Sequence, residues 1–226
     1  MERIYDKDAA GDLGLCTGRI LLLIHCGSRG YGQDILSRFF EPAGLEDGSV
    51  RAEEYMAEHD RAFMWAERNR MSVAEKLLTW LGSSSEPGLL MDSCHNYLER
   101  TEAGLLHRKG SVSARKGAVV IPGSRGSLAY VCIPREDTAV SLDSLSHGAG
   151  RKWARSICKS RIDQKYDRYS IRCTGLKSRV VCHDTNLLFA EAPEAYKNVE
   201  QVMGVLQEYG LIDIAATLRP LITFKG

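Results

Sequence analysis

The stretch "GAVVIPGSRGSLAYVCI", Gly117 to Ile133, points most directly to the fold. Two runs rich in aliphatic residues flank the tetrapeptide Gly-Ser-Arg-Gly, a pattern typical of two strands joined by a tight turn. Upstream, "NYLER" and "GLLHRKG" repeat the same alternation of short strand-like runs and glycines. We therefore predict a sheet in the middle of the chain, with functional side chains on the loops at the strand ends.

Two further patterns precede this sheet. Apolar and aromatic residues recur at spacings of three, four or seven from Ala52 to Leu81, which predicts a long amphipathic helix ended by Gly82 and the serines Ser83 to Ser85. The residues on this stripe are Tyr55, His59, Phe63, Ala66, Val73, Leu77 and Trp80. The aliphatic run "GRILLLIH", Gly18 to His25, predicts a buried strand that ends at a histidine.

The C-terminal part predicts alternating elements. We expect a helix from Gly150 to about Ser160 and a strand at "SRVVCHD". A helix should follow through "EAPEAYKNVEQVMGVLQEYG", with Pro193 in its first turn and Gly210 at its end, and then a strand through the last residues. Together the patterns predict an α+β fold, with β-sheets packed with long helices in one domain over residues 1–226.

The composition excludes some classes of protein. A chain of 226 residues that is 44% hydrophobic can bury a real core. Thirty basic and 29 acidic residues nearly cancel, so any phosphate or nucleic-acid site must come from local clustering. Seven cysteines without a repeated CxxC do not suggest a disulfide framework, and no apolar run is long enough to span a membrane. We expect a soluble, cytoplasmic protein with reduced thiols.

The tetrapeptide Gly-Ser-Arg-Gly occurs twice, at Gly27 to Gly30 and at Gly123 to Gly126. Glycines let backbone N–H groups approach an oxyanion, and an arginine offers a fork for phosphate. Each copy alone is more typical of a tight turn with a solvated arginine, and the presence of two copies favours anion binding only modestly. Neither copy has the spacing of a standard nucleotide-binding fingerprint.

The histidines fall into different settings. His25 and His95 stand beside small polar residues and Cys26 and Cys94, which suits metal ligands, although either histidine taken alone is more typical of an ordinary hydrogen-bonded side chain. Two histidines are too few for a complete metal site. His59 lies on the apolar stripe of the predicted long helix, which predicts a core histidine, and His183 stands at a predicted strand end. His107 belongs to the run "HRKG", which fits a phosphate site or a solvated turn equally well.

His147 has the most unusual setting, between a serine and the small residues Gly148, Ala149 and Gly150. A sterically open imidazole nitrogen can attack phosphorus and form a phosphoramidate. The helix expected to follow and the charge of Arg151 both disfavour imidazolium, so we expect a neutral ring that faces an anion.

Five segments together resemble the RtcB family of GTP- and manganese-dependent RNA ligases, in the family's order and over nearly the whole chain. The segments are "HCGSRGYG", "CHNYLE", "HRKGSVSARKGAVVIPGSRGSLAYV", "SHGAGRKWARS" and "LRPLITFKG". Others, such as "HDRAFMWAERNR" and "FAEAPEAYKNVE", resemble the branch coupled to peptide-chain release factor H. The resemblance implies an RtcB-like fold, and a ligase that joins RNA 2′,3′-cyclic phosphate or 3′-phosphate ends to 5′-hydroxyl ends, in RNA repair or tRNA splicing.

The resemblance also implies roles for residues. His147 would be the catalytic nucleophile that attacks the α-phosphate of GTP and carries GMP. His25 and His95 would bind Mn²⁺. The implied guanylate contacts are His95, Asn96, Pro122, Gly123, Ser124, Arg125, His147, Gly148, Ala149, Gly150 and Lys225. The implied contacts to RNA phosphates are Arg29, Lys109, Arg151 and Arg155.

The chain departs from the family pattern in three places. Arg125 stands where family members often have methionine, and Ala129 where they often have serine. The family's upstream Asp-x-Gly-Cys-Gly and Asn-His-Phe motifs are expected before Met1, so we expect the domain to be N-terminally truncated relative to the family. The alternatives are a non-catalytic GTP- or RNA-binding fragment, or one subunit of a split ligase whose partner chain supplies the missing metal ligands. A structural metal site at His25 and His95 is a third.

Overall fold

A computed structural model describes residues 1–83 and 88–226 of the chain. The helices are α1 (Lys7–Asp12), α2 (Arg29–Phe39), α3 (Val50–Trp80), α4 (Arg155–Ile162), α5 (Thr185–Ala190) and α6 (Val199–Glu208). The strands are β1 (Arg3–Ile4), β2 (Asn96–Thr101), β3 (Gly104–Lys109), β4 (Ser111–Ser113), β5 (Val119–Pro122), β6 (Ala129–Pro134), β7 (Ser144–Ser146), β8 (Arg179–Cys182), β9 (Ile212–Leu218) and β10 (Ile222–Lys225). Short 3-10 turns lie at Ala114–Lys116, Ala139–Ser141, Ser170–Arg172 and Pro193–Ala195.

The described residues form two compact units. The helical unit comprises Leu21–Lys109, and the sheet unit comprises Met1–Ile20 with Gly110–Gly226. Helices and mostly antiparallel strands occur together, so the predicted α+β class is confirmed. That residues 1–226 act as one domain stays a prediction.

The long helix α3 organises the helical unit and confirms the helix predicted over Ala52 to Leu81. The Ser49 hydroxyl accepts a hydrogen bond from the Ala52 amide at 3.2 Å and caps its N-terminus. Small side chains on one face are buried: Ala52, Ala62, Ala66 and Ala74. Trp80, which the apolar stripe placed on this face, is 82% exposed. Gly82 has φ +72° just beyond the helix end, whereas Ser84 and Ser85 of the predicted stop lie outside the described residues.

The strand predicted at "GRILLLIH" is wrong. Residues 18–25 pair with no strand of the described residues, and Ile20 is 76% exposed. An aliphatic run becomes a buried strand only where a neighbouring strand supplies hydrogen bonds and a second layer covers it. The composition of the run carries no information about either.

The sheet unit contains an antiparallel sheet in the order β1-β9-β6-β5. The predicted strands on either side of Gly-Ser-Arg-Gly form its β5–β6 hairpin, with Pro122 opposite Ala129. Helix α6 packs Val199 and Met203 into the same core as Ile121 of β5. Strands β4 and β7 pair antiparallel, and β10 runs parallel to β8.

The segment after Gly150 differs from the prediction. Helix α4 begins only at Arg155, because residues before it form backbone contacts with a different segment of the chain. Arg151 forms a β-bridge with Tyr196, and the Lys152 amide donates to the Ala195 carbonyl at 2.9 Å. No helix therefore begins directly after Gly150, where the sequence predicted a helix N-terminus close to His147.

The remaining C-terminal elements follow the prediction in part. The predicted strand at "SRVVCHD" is confirmed as β8. The predicted helix after it divides into the turn Pro193–Ala195 and α6, and Gly210 follows α6 with φ +65°. The final strand divides into β9 and β10 around Pro220, which cannot donate to a ladder.

All seven cysteines lie in the described residues, where none is joined in a disulfide. Among the helices of the described residues, none combines the length and hydropathy needed to cross a membrane.

Candidate active site

His147 lies just after β7, in a segment that we name the His147 loop, His147–Gly150. Its Nδ1 lies 2.6 Å from the carbonyl oxygen of Gly110, which also accepts the His147 amide at 3.3 Å. A carbonyl oxygen only accepts hydrogen bonds, so Nδ1 must carry a proton. In the neutral ring the lone pair then belongs to Nε2, which is the nitrogen able to act as a nucleophile.

The His147 loop packs against the end of β5. The Ala149 amide donates to the Pro122 carbonyl at 3.1 Å. A methyl group at Gly148 would lie 2.9 Å from that same oxygen, so only glycine fits without a shift. Gly150 has φ +70°, a conformation that glycine adopts at little cost. Two segments implied to bind guanylate, Pro122–Arg125 and the His147 loop, are thus in direct contact.

The turn that follows Pro122 is held by serine hydroxyls. The Ser127 hydroxyl accepts from the Ser124 amide at 2.7 Å, and the Gly123 amide donates to the Leu128 carbonyl at 3.2 Å. Arg125 does not extend into solvent: it is 7% exposed and donates to the Ile171 carbonyl at 2.9 Å. Burial lowers the pKa of this guanidinium. The arginine at this turn is therefore an interior side chain.

Sequence reasoning missed Glu191, a buried carboxylate of the sheet unit that contacts several cationic side chains. Its Oε1 accepts from Arg151 Nη1 at 3.2 Å and lies 3.5 Å from Arg155 Nε. Its Oε2 accepts from the Tyr196 hydroxyl and lies 3.4 Å from Lys225 Nζ. We refer to Glu191, Arg151, Arg155, Tyr196 and Lys225 as the Glu191 cluster.

Within this cluster Arg151 is engaged by protein groups. Its Nη2 donates to the Ala190 carbonyl at 2.6 Å and its Nε to the Trp153 carbonyl at 3.2 Å. Its guanidinium lies 5.0 Å from the ring centre of Tyr196. Arg155 differs, because its side chain is 70% exposed. The two arginines of the Glu191 cluster, both implied to bind RNA phosphate, are therefore in unlike environments.

Glu191 is a buried but charged carboxylate. Burial raises its pKa, but the hydrogen bond from Tyr196 and the charges of Lys225 and Arg151 outweigh burial, so the net pKa is lowered. Burial and the hydrogen bond to Glu191 raise the pKa of Tyr196 to about 12. At neutral pH the cluster therefore contains a fixed negative charge among three cations.

In the helical unit, His25 and His95 face each other. Their Nε2 atoms are 3.0 Å apart, and their rings are nearly perpendicular at 85°. Two imidazole nitrogens about 2.1 Å from one ion and at right angles to each other lie about 3.0 Å apart. The same distance suits an N–H···N hydrogen bond, so the pair is compatible with ion-free and ion-bound states. Among residues 1–83 and 88–226, no group of three or more metal-ligating side chains forms.

Helix α3 holds the two histidine segments in place. Arg70 donates to the Cys26 carbonyl at 3.2 Å and pairs with Asp92 at 2.5 Å. Asn69 donates to the Cys26 sulfur at 3.5 Å. A side chain of α3 thus joins the segment that bears His25 to the segment that leads to His95.

The remaining predicted residues of the helical unit lie at strand and helix ends. Asn96 and Lys109 are directly opposite each other at the ends of β2 and β3. Arg29 is exposed at the start of α2 with φ +54°. In "HRKG", by contrast, Arg108 is buried and pairs with Glu99 at 2.8 Å, so the run does not present three exposed cations.

Of the remaining three histidines, His107 is exposed on β3, and His59 and His183 lie close to where the sequence suggested. The His59 side chain is only 15% exposed, and its Nε2 accepts from the Leu98 amide at 3.1 Å. His183 is exposed at the end of β8.

Comparison with known proteins identifies the family. A family model described as tRNA-splicing ligase RtcB matches residues 1–226. The chain belongs to the RtcB family. The resemblance inferred from the five motifs is thus confirmed, and the α+β arrangement agrees with an RtcB-like fold.

Several RtcB proteins are similar to this chain over its whole length. RNA-splicing ligase RtcB2 of Escherichia coli is 40% identical over 233 residues, which cover 100% of this chain and 61% of the relative. The tRNA-splicing ligase RtcB of Archaeoglobus fulgidus is 27% identical, with 56% of the relative covered. RNA-splicing ligase RtcB homolog 1 of Entamoeba histolytica is also 27% identical, with 51% covered. The chain therefore spans roughly half to three-fifths of the length of these relatives.

Glu191 and Arg70, whose contacts hold other predicted residues in place, were not predicted from the sequence. Nothing in their local motifs indicates a functional role. Glu191 lies within "FAEAPEAYKN", where it reads as part of a solvated helix start. Arg70 lies in "HDRAFMWAERNR", where an arginine on a polar helix face is ordinary. The indication available in the sequence was that both segments are among those that resemble RtcB proteins.

Proposed function

We propose that this RtcB-family chain acts in RNA ligation and joins 2′,3′-cyclic phosphate or 3′-phosphate ends to 5′-hydroxyl ends through a GMP–His147 intermediate. The observation that carries the proposal is the His147 contact with Gly110, because it fixes the tautomer in which Nε2 holds the lone pair. Family membership supports the class of reaction.

In the first step, Nε2 of His147 attacks the α-phosphorus of GTP. An N–P bond forms, the bond from the α-phosphorus to the bridging oxygen breaks, and pyrophosphate leaves. The ring becomes positively charged, and its Nδ1–H continues to donate to the Gly110 carbonyl. That hydrogen bond stabilises the cation and orients the ring for the attack.

In the second step, a 3′-phosphate oxygen of the RNA attacks the guanylate phosphorus, and His147 leaves. The 5′-hydroxyl of the other RNA end then attacks the 3′-phosphate, loses its proton to solvent and displaces GMP. A 2′,3′-cyclic phosphate must first be opened by water to the 3′-phosphate. Arg155, with its exposed side chain, is suited to hold an RNA phosphate.

We assign the guanylate contacts to the segments that surround His147. Backbone groups of Pro122–Arg125 and of the His147 loop would line the nucleotide, while Lys225 would contribute its ammonium group. That His95 and Asn96 also contact the guanylate stays a prediction. Arg29 and Lys109 would contact RNA, whereas the contacts of Arg151 favour a supporting role.

His25 and His95 would hold Mn²⁺. When bound, the ion would neutralise phosphate charge as a Lewis acid. The pair supplies two nitrogen donors, and manganese takes more ligands than two. Phosphate oxygens, water or a second polypeptide would supply the rest.

The number of donors also favours a second candidate, a GTP- or RNA-binding component that ligates only with a partner chain. The two candidates differ in what the isolated chain does with GTP and RNA. A functional link to peptide-chain release factor H stays a prediction.

A joining assay tests the proposal. Purified chain, GTP and Mn²⁺ are incubated with one RNA that ends in a 3′-phosphate and one that begins with a 5′-hydroxyl. The proposal predicts a joined product that requires GTP and is lost in His147→Ala. The matched control is an RNA pair with 3′-hydroxyl and 5′-phosphate ends, which should not be joined. Binding of GTP without any joining would refute ligation by the isolated chain and favour the second candidate.

A further inference from the structure

Glu191 is the one carboxylate of the Glu191 cluster, and it contacts groups from separate parts of the sheet unit. It follows α5, its Oε2 faces Lys225 on β10, and its Oε1 accepts from Arg151. Its side chain is 7% exposed. A charged group is buried to this extent only where partners compensate it.

The contact with Lys225 restricts a flexible side chain. A lysine ammonium lies at the end of a four-carbon stem, and holding it in one place costs conformational entropy. The Lys225 side chain is 37% exposed, with its Nζ 3.4 Å from Glu191 Oε2. A buried carboxylate that also accepts hydrogen bonds from Arg151 and Tyr196 is therefore suited to hold this ammonium group in one position.

The contacts with Arg151 and Tyr196 reach the His147 loop. Arg151 directly follows Gly150, and the Lys197 amide donates to the Gly150 carbonyl at 3.0 Å. Arg151 and Tyr196 form a β-bridge, and both side chains contact Glu191. One carboxylate thus contacts Lys225 and the side chains of the two residues that form the backbone bridge after the loop that bears His147.

We propose that Glu191 is a positioning residue of the nucleotide site: it holds the Lys225 ammonium and anchors the segment after the His147 loop. This proposal rests on the proposed function, because it takes Lys225 to contact the guanylate. Glu191 acts through its neighbours and does not itself need to touch GTP.

A double-mutant cycle tests the proposal. Binding of fluorescent N-methylanthraniloyl GTP is measured at equilibrium with Mn²⁺ for wild type, Glu191→Gln, Lys225→Met and the double variant. Lys225→Met removes the proposed ammonium contact with the guanylate, and Glu191→Gln releases that ammonium from its fixed position. A partly exposed ionic contact is worth about 1 kcal/mol, so each single change should raise the Kd by up to about fivefold. If Glu191 acts through Lys225, the double variant should bind no more weakly than about the weaker single variant.

A matched control removes a different carboxylate of the same region. Glu194 pairs with Lys165 and accepts from Tyr166 at 2.6 Å, so Glu194→Gln also deletes a partly buried ion pair. This variant should leave the Kd for GTP unchanged. Thermal unfolding of every variant shows whether it is folded. If Glu191→Gln does not fold, Tyr196→Phe takes its place, since it removes only the hydroxyl that contacts Glu191.

The outcomes separate this proposal from the proposed function. An unchanged Kd in Glu191→Gln would overturn the positioning role, and effects that multiply fully in the double variant would overturn the part of it that acts through Lys225. An equal rise in Kd for Glu194→Gln would overturn it as well. Normal GTP binding and the expected cycle without RNA joining would contradict ligation by the chain and leave the positioning role supported. No GTP binding by wild type would contradict both.

Discussion

The contact between Gly148 and Pro122 yields a prediction with a calculable cost. A methyl group at Gly148 would lie 2.9 Å from the Pro122 carbonyl oxygen, whereas ordinary contact begins at 3.4 Å. The loop must therefore move by at least the difference of 0.5 Å, away from the carbonyl that accepts the Ala149 amide. Overpacking and a weakened hydrogen bond together give about 2–4 kcal/mol of lost stability for Gly148→Ala.

The same shift should reduce reactivity at His147. A misplacement of 1 Å can cost about a hundredfold in rate, so half that distance corresponds to roughly tenfold slower transfer of label from GTP. Urea unfolding measures the first effect, and the rate of labelling measures the second.

Gly204 in α6 provides the matched control, because a methyl group there meets nothing within 4 Å. Gly204→Ala should stabilise the protein by about 0.5–1 kcal/mol and leave labelling unchanged. If Gly148→Ala were as stable and as reactive as wild type, the described packing of the His147 loop on β5 would be incorrect.

Three further predictions concern metal, pH and thiols. His25→Ala should raise the Kd for Mn²⁺ by at least about tenfold, whereas His183→Ala should leave it unchanged. The Kd is measured from the paramagnetic resonance signal of the unbound ion. Equal effects of the two variants would contradict the assignment of His25 and His95 as metal ligands. The pKa of Glu191 is lowered from its ordinary 4.5, so its contribution to stability is present above about pH 4.5 and lost as the pH falls through the lowered value. Urea unfolding should therefore show a smaller loss of stability between neutral and acidic pH in Glu191→Gln than in wild type, and an identical loss would refute this account. Burial raises the pKa of Cys132 to about 12, so a thiol reagent should label exposed Cys16 and Cys173 first and Cys132 only on unfolding, as mass spectrometry can establish.

The parts of the fold that could be predicted depend on local sequence. The hairpin around Gly123–Gly126 and the helix Val50–Trp80 follow from short-range alternation and helical spacing, which the chain itself enforces. The aliphatic run at residues 18–25 could not be assigned in this way, since pairing depends on residues far along the chain.

The site shows the same division between local and distant information. The sequence singled out His147 by its small neighbours, but its tautomer depends on Gly110, 37 residues away. The expected helix is present, but its predicted start at Gly150 was wrong, because Arg151 contacts Glu191 and Tyr196 and α4 begins only at Arg155. Contacts over such separations decide which cation faces solvent and which is held by the protein, and no local pattern records them.

The central claim is that Nε2 of His147 accepts GMP from GTP. The most direct measurement incubates the chain with Mn²⁺ and GTP labelled at the α-phosphate, and then locates the label by peptide mapping. We predict acid-labile label, as expected for a phosphoramidate, on the peptide that contains His147, and its absence in His147→Ala. Label on another residue, or undiminished label in His147→Ala, would contradict the claim.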